Sequence, residues 1–169
     1  MNAHDRDQHI RAIAELMKKS RVGMLTTRGA DGALKSRPLG TQEVEFDGDV
    51  WFATGFDSEK VREIEADPRV NVSFQNDGDN SYVSLSGTAS VVRDRAKIEQ
   101  LWSPAMKIFF PEGKDDPNLC LIRVSAEGGE YWDGPGTVIG KLAYLATAAV
   151  TGNPGAMSDH AAVDLNPRN

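Results

Sequence analysis

At 169 residues, 40% hydrophobic and 26% charged, the chain reads as a soluble globular protein of one domain, with length to spare for a tail. Its formal net charge of -6 argues against sequence-independent nucleic-acid binding but leaves room for a local cationic pocket. No apolar run approaches the roughly 20 residues that cross a bilayer as a helix, so neither nucleic acid nor membrane is an expected partner.

Met1–Asp7 is polar and mixed in charge, unlike a secretory leader. With Cys120 as its single cysteine, the expected location is cytoplasmic. Ile10, Ile13, Ala14, Leu16 and Met17 recur at helical spacing and predict an amphipathic helix over Asp5–Lys19. Val22–Thr27 reads as a strand. Gly29-Ala30-Asp31-Gly32 is a turn before a second strand through Ser36, Pro38 and Leu39. Val44 and Phe46 lead to a second tight turn at Asp47-Gly48, then Val50–Thr54. Two successive hairpins favour an antiparallel meander over alternating βαβ units.

Ser58–Ala66 predicts a short helix with Asp57 or Ser58 as N-cap and Asp67-Pro68 as its stop. Val70–Phe74 and Tyr82–Val92 read as strands around the polar loop Asn76–Asn80, with Gly87 marking a bulge or corner. Asp94 caps a helix over Arg95–Leu101, and Ser103-Pro104 restarts it toward Phe110. After the loop Pro111–Pro117, Leu119–Val124 and Gly129–Trp132 read as two final strands. Val138–Val150 predicts an Ala-rich helix, and Gly152–Asn169 a flexible tail. The expected units are a barrel domain over 1–136, a C-terminal helix over 137–151 and a tail over 152–169. Strands at this spacing with interspersed helices point to a mainly β, α+β barrel.

His4, His9 and His160 all lie near the termini, so the middle of the chain lacks the commonest general base and metal ligand. No Cys/His cluster exists for zinc, and no Ser-His-Asp or Cys-His hydrolase is expected. Any demanding chemistry falls to a cofactor. Cys120 in an alternating apolar run reads as a buried, inert thiol, and Glu112, Asp115 and Asp116 as a solvated loop.

The most informative stretch is Lys35–Lys60. Arg37 supplies a fork of donors on a strand, and a helix starts at Ser58-Glu59-Lys60 some twenty residues later. Helix N-termini favour anions; Ser58 adds a hydroxyl, Lys60 a point charge and Arg37 a match to phosphate oxygens. The same residues admit a purely structural account, with Ser58 a cap, Lys60 and Arg62 a solvated face and Arg37 a strand surface. Trp51, Phe52, Trp102, Phe109, Phe110, Tyr131 and Trp132 are open between core, dimer contact and a wall for a planar ring.

Taken in order, Ser36-Arg37-Pro38-Leu39, Trp51-Phe52-Ala53-Thr54, Ser58-Glu59-Lys60-Val61 and Asp67-Pro68-Arg69-Val70-Asn71-Val72 resemble the FMN-binding split-barrel superfamily of pyridoxamine 5′-phosphate oxidase. Tyr82-Val83-Ser84-Leu85-Ser86-Gly87, Asp94-Arg95, Leu101-Trp102-Ser103-Pro104, Phe110-Pro111-Glu112-Gly113, Asp116-Pro117 and Glu130-Tyr131-Trp132-Asp133 resemble its bacterial general stress protein subgroup.

The resemblance implies a six-stranded antiparallel split barrel, a homodimer and FMN sites shared between subunits. It places Arg37, Ser58 and Lys60 on the phosphate and counts Ser36 among the cofactor-binding residues. Pro38 and Leu39 would run along the isoalloxazine edge, and Ala53 and Thr54 along the ring and ribityl side. Gln75 would be a polar flavin contact, with Trp102 and Trp132 approaching from the partner subunit. No metal is implied and no catalytic side chain is assigned.

The oxidases proper carry an arginine and a histidine near the C-terminus for the substrate phosphate. Here Trp132 is followed by Asp133-Gly134-Pro135-Gly136, so little pyridoxamine phosphate oxidation is expected. The leading expectation is an FMN-dependent oxidoreductase of the stress response, working with a small-molecule electron donor or acceptor. A non-catalytic flavin-binding or buffering protein is the second reading. A split barrel for haem or a deazaflavin is the third, with haem disfavoured by the absence of histidine from the barrel body.

Overall fold

The computed structural model describes residues 3–42, 45–134 and 159–165. An amphipathic helix, α1 (Ala3–Lys18), buries Ile13, Ala14 and Leu16, the face its periodicity predicts. Then come β1 (Val22–Arg28), β2 (Leu34–Gly40), β3 (Asp49–Gly55), α2 (Glu59–Ala66), β4 (Arg69–Asn76) and β5 (Ser81–Val92). They are followed by α3 (Arg95–Leu101), short 3₁₀ turns at Pro104–Ile108 and Gly113–Asp115, β6 (Leu119–Asp133) and β7 (Asp159–Asp164).

The strands form one antiparallel sheet in the order β2-β1-β4-β5-β6-β3, with β7 joined to β6. Alternate residues of each strand turn inward: Leu25 and Thr27 on β1, Val72 and Phe74 on β4, Val83 and Leu85 on β5, Ile122 and Val124 on β6 are all buried. Among the described residues, the two ends of the path, β2 and β3, are joined by a bridge between Thr41 and Phe52 and by the Gln42 N–H donating to the Trp51 carbonyl at 3.1 Å. The barrel is therefore split rather than closed by a ladder.

Three features differ from the sequence reading. The hairpin of β1 and β2 forms around Gly32, whose φ of +80° suits glycine. The second expected hairpin does not. β3 instead pairs with β6 from Asp49↔Ser125 to Gly55↔Leu119, which carries Val50 and Phe52 into the core beside Ile122 and Val124. The two expected final strands are a single strand of 15 residues, β6. Its pairing with β5 carries it through Ala126–Gly129 by a register shift, from Ser86↔Gly128 to Gly87↔Ala126. Gly87 sits at that shift, as its place inside a strand predicted.

The third difference lies in the stretch read as a tail. Asp159–Asp164 is a seventh strand on β6, and beside it Val163 and Leu165 enter the main core at 5% and 1% exposure. The Leu165 N–H donates to the Glu127 carbonyl at 2.9 Å, using the residue that the β5 register skips. The Val138–Val150 helix and the rest of the tail reading lie outside the described residues.

A second apolar cluster covers the outer face of β3 and β6. Ile98, Leu101, Met106 and Phe110 pack there on Leu119 and Leu121, with Trp51, Ala53, Val92 and Trp102 alongside. Asp94 caps α3 as expected, accepting the Lys97 N–H at 2.7 Å.

Candidate functional site

The site is built where β3 hands over to α2. Ser58 occupies the N-cap position with extended backbone, yet its hydroxyl makes no capping bond. Its Oγ is buried and has no hydrogen-bond partner among the described residues. A buried, unmatched hydroxyl costs about 1–3 kcal/mol, so it needs a ligand or solvent atom to complete it. That argues against Ser58 being only a cap.

Two residues on, Lys60 donates to Thr54 Oγ1 at 3.0 Å and makes no ion pair among the described residues. Burial, then the nearby Arg37 cation, push its pKa below the ordinary lysine range. The ammonium is thus partly desolvated and unneutralised, beside a helix N-terminus that carries partial positive charge.

Arg37 faces inward from β2, on the same side as Thr27 of β1. It donates to Thr27 Oγ1 at 2.6 Å and to Glu63 Oε2 at 2.7 Å, and lies 3.6 Å from Glu59. Thr27, fully buried, in turn donates to Glu63 Oε2 at 2.7 Å. Lys35 completes the cluster, 2.6 Å from Glu59 and 3.2 Å from Glu63. Burial alone would raise the pKa of Glu63, but the hydrogen bonds from Thr27 and Arg37 to Oε2 and the Lys35 ammonium near Oε1 outweigh it and lower it, so Glu63 is a carboxylate at neutral pH. Lys35 and Arg37 are thereby matched by Glu59 and Glu63, and the residual positive charge belongs to Lys60.

This donor set suits a phosphate monoester. It combines an unsatisfied hydroxyl, an ammonium with no ion pair among the described residues, the remaining N–H groups of a fixed guanidinium and the first turn of α2. The sequence reading named Arg37, Ser58 and Lys60, and Thr54 joins them through Lys60. It missed Thr27, Lys35, Glu59 and Glu63. Glu63 carried a signal: it shares the buried face of α2 with Val61 and Ile64, where a lone carboxylate requires a partner.

The remaining predicted residues lie elsewhere. Ser36 and Pro38 point to the outer face of the sheet, Ser36 with its Oγ 2.7 Å from that of Thr26, while Leu39 packs on the main core. Gln75 is exposed and donates to Asp77 Oδ1 at 2.5 Å. Ala53 and Trp102 belong together in the second cluster. Trp132 pairs with Tyr82 of β5, and β6 is separated from β2 by three intervening strands.

Cys120 faces the barrel interior, where burial pushes its pKa up to about 11. Its thiol donates to the Thr54 carbonyl at 3.4 Å, directly behind the site. We expect the native protein to resist alkylation by iodoacetamide at pH 8, and the urea-unfolded chain to be labelled fully; rapid native labelling would contradict this placement. In the acidic loop, Asp115 pairs with Arg95 and Asp116 accepts the Asn118 N–H at 2.9 Å.

A family model described as "Pyridoxamine 5′-phosphate oxidase like" matches residues 8–155. Protein bli-3 of Neurospora crassa is 32% identical over 158 residues, covering 88% of this chain and 76% of that protein. General stress protein 26 of Bacillus subtilis is 27% identical over 132 residues, covering 75% and 88%. Among solved structures, the general stress FMN/FAD binding protein of Xanthomonas citri superposes with a TM-score of 0.66 at 29% identity, over 75% of this chain and 89% of that one. The split barrel, the ordered motifs and these matches agree: the chain belongs to the pyridoxamine 5′-phosphate oxidase-like family, with general stress proteins among its relatives.

Proposed function

We propose that this protein binds FMN and works as a flavin-dependent oxidoreductase. The observation that carries the reading is the buried, unpartnered Ser58 hydroxyl beside the uncompensated Lys60 ammonium. Arg37, Ser58 and Lys60 would hold the phosphate, and Thr54 would orient Lys60. Pro38 and Leu39 would flank the ring edge, with Ser36, Ala53 and Gln75 around it. The bound flavin would supply two-electron and one-electron transfer; the chain's residues bind it, orient it and keep its phosphate anchored. The Xanthomonas citri relative, described as FMN/FAD binding, supports the choice of a phosphorylated flavin.

A homodimer is part of the same reading. Val22, Met24, Leu34 and Tyr82 lie on the outer face of β2-β1-β4-β5 at 51%, 38%, 75% and 36% exposure. Such an apolar face suits a second copy of the sheet. Two copies would also let Trp102 and Trp132 of one chain approach the flavin held by Arg37 of the other. Pyridoxamine phosphate is a poor candidate substrate, because Asp133 and Gly134 follow Trp132 where the oxidases proper carry a phosphate-gripping arginine and histidine.

The purified protein is expected to show a flavin absorbance band, release FMN on denaturation and elute as a dimer. Added FMN should raise the Tm of stripped protein, since a ligand specific to the folded state stabilises it. Consumption of NADH or NADPH with a flavin-dependent acceptor then separates an enzyme from a binder. A colourless protein whose Tm is unmoved by FMN would overturn the reading.

A further inference from the structure

The anion site contains its own anion. Glu63 is 6% exposed, accepts both Thr27 Oγ1 and Arg37 Nη2 at 2.7 Å, and lies 3.2 Å from Lys35. Arg37, a fork suited to phosphate, is thus already engaged by a buried carboxylate on the helix whose N-terminus would receive the ligand. Buried charges require partners, and without Glu63 the cations Arg37, Lys35 and Lys60 would repel one another in the empty cradle. A bound phosphate dianion would, however, face Glu63 across the same guanidinium. At the effective dielectric of a partly buried site, like charges several ångströms apart repel by enough to change affinity severalfold or more.

Resting on the phosphate reading of this site, we infer that Glu63 is a built-in counter-ion: it stabilises the ligand-free fold and competes with the ligand phosphate for Arg37, so that flavin binding stays reversible. Glu59, 3.6 Å from Arg37 and 2.6 Å from Lys35 but 58% exposed, plays the same part more weakly because solvent screens it. Glu63 is a positioning and affinity-setting residue; it needs no contact with the flavin itself.

The test uses the full chain, stripped of flavin, with FMN and riboflavin as probes that differ only in the phosphate. Glu63→Gln keeps the shape and removes the charge. It should lower the Tm of the stripped protein, tighten FMN by about tenfold and leave riboflavin affinity unchanged. Glu63→Asp keeps the charge; it should lower the Tm without tightening FMN. A merely structural Glu63 would lower the Tm and weaken both flavins together. Lys60→Ala is the control for the underlying reading. If it fails to lower the FMN-to-riboflavin affinity ratio, the phosphate site itself is wrong. If it lowers that ratio while Glu63→Gln leaves FMN unchanged or weaker, only the counter-ion role is wrong. Should Glu63→Gln not fold, Glu59→Gln decides: a two- to threefold tightening of FMN alone supports the inference, and no tightening overturns it.

Discussion

Gly87→Ala is expected to destabilise the fold by about 3 kcal/mol or more, through overpacking that the surroundings cannot relieve. A Cβ at Gly87 would stand 2.0 Å from the Ser125 carbonyl oxygen, 2.9 Å from its carbon and 3.0 Å from the Ala126 Cα. All three atoms are backbone, so relief requires parting β5 from β6 where the register shifts. These strands form the longest ladder of the sheet, and β6 also carries Leu119 and Leu121 into the second cluster. Gly40→Ala is the matched control: a Cβ there meets nothing within 4 Å, and the change should fall within about 0.5 kcal/mol of the parent. Urea unfolding of the two variants measures the contrast. Equal stability would mean that the two strands do not approach so closely at the bulge.

Gly87 also shows which parts of this fold can be read from sequence. A glycine interrupting an alternating run announces a local backbone event, because the requirement is met within a few residues. The same holds for α1, whose apolar spacing fixes its buried face, and for Asp94, whose cap bond spans three residues. Pairing between distant strands leaves no such trace. Asp47-Gly48 has the chemistry of a hairpin turn, and Gly48 does adopt φ +114°, yet β3 leaves its sequence neighbour for β6. Nothing local to Asp49–Gly55 names Leu119–Ser125 as its partner. β7 is the stronger case: Asp-His-Ala-Ala-Val-Asp has weak strand propensity, and it is placed by the free edge of β6 and the burial of Val163 and Leu165.

The site divides along the same line. Arg37, Ser58 and Lys60 were legible because helix-start chemistry and phosphate chemistry select the same residue types. Thr27 was hidden as an ordinary inward strand residue, and Glu63 as one charge in a charged helix. Their roles exist only because β1, β2 and α2 meet. The outer-face residues Ser36, Pro38, Gln75 and Trp132 are spread over three strands, β2, β4 and β6.

Lys60→Ala is expected to weaken FMN by about 10- to 100-fold, the loss of one charge-assisted bond, and to leave riboflavin nearly unaffected. Arg37→Ala should behave differently. Its charge is already matched by Glu63, and removing it strands a carboxylate only 6% exposed, so the main effect falls on stability, at about 3–5 kcal/mol. The pH dependence separates the two roles further. Burial and Arg37 lower the Lys60 pKa, so FMN affinity should fall with rising pH before ordinary lysines titrate, and Lys60→Ala should flatten that decline. In the empty protein the sign reverses. A lysine with a depressed pKa binds its proton more tightly in the unfolded chain, so below the folded pKa its charge opposes folding. That penalty is relieved as pH rises through the folded pKa. Lys60→Ala should therefore leave the stripped protein at least as stable as the parent at neutral pH while abolishing most of its preference for FMN over riboflavin. A merely structural lysine would lose stability and both ligands together. Isothermal titration with the two flavins, alongside thermal unfolding of the stripped protein, distinguishes these outcomes. A Lys60 variant that bound FMN and riboflavin as the parent does would remove the cation on which the phosphate assignment depends.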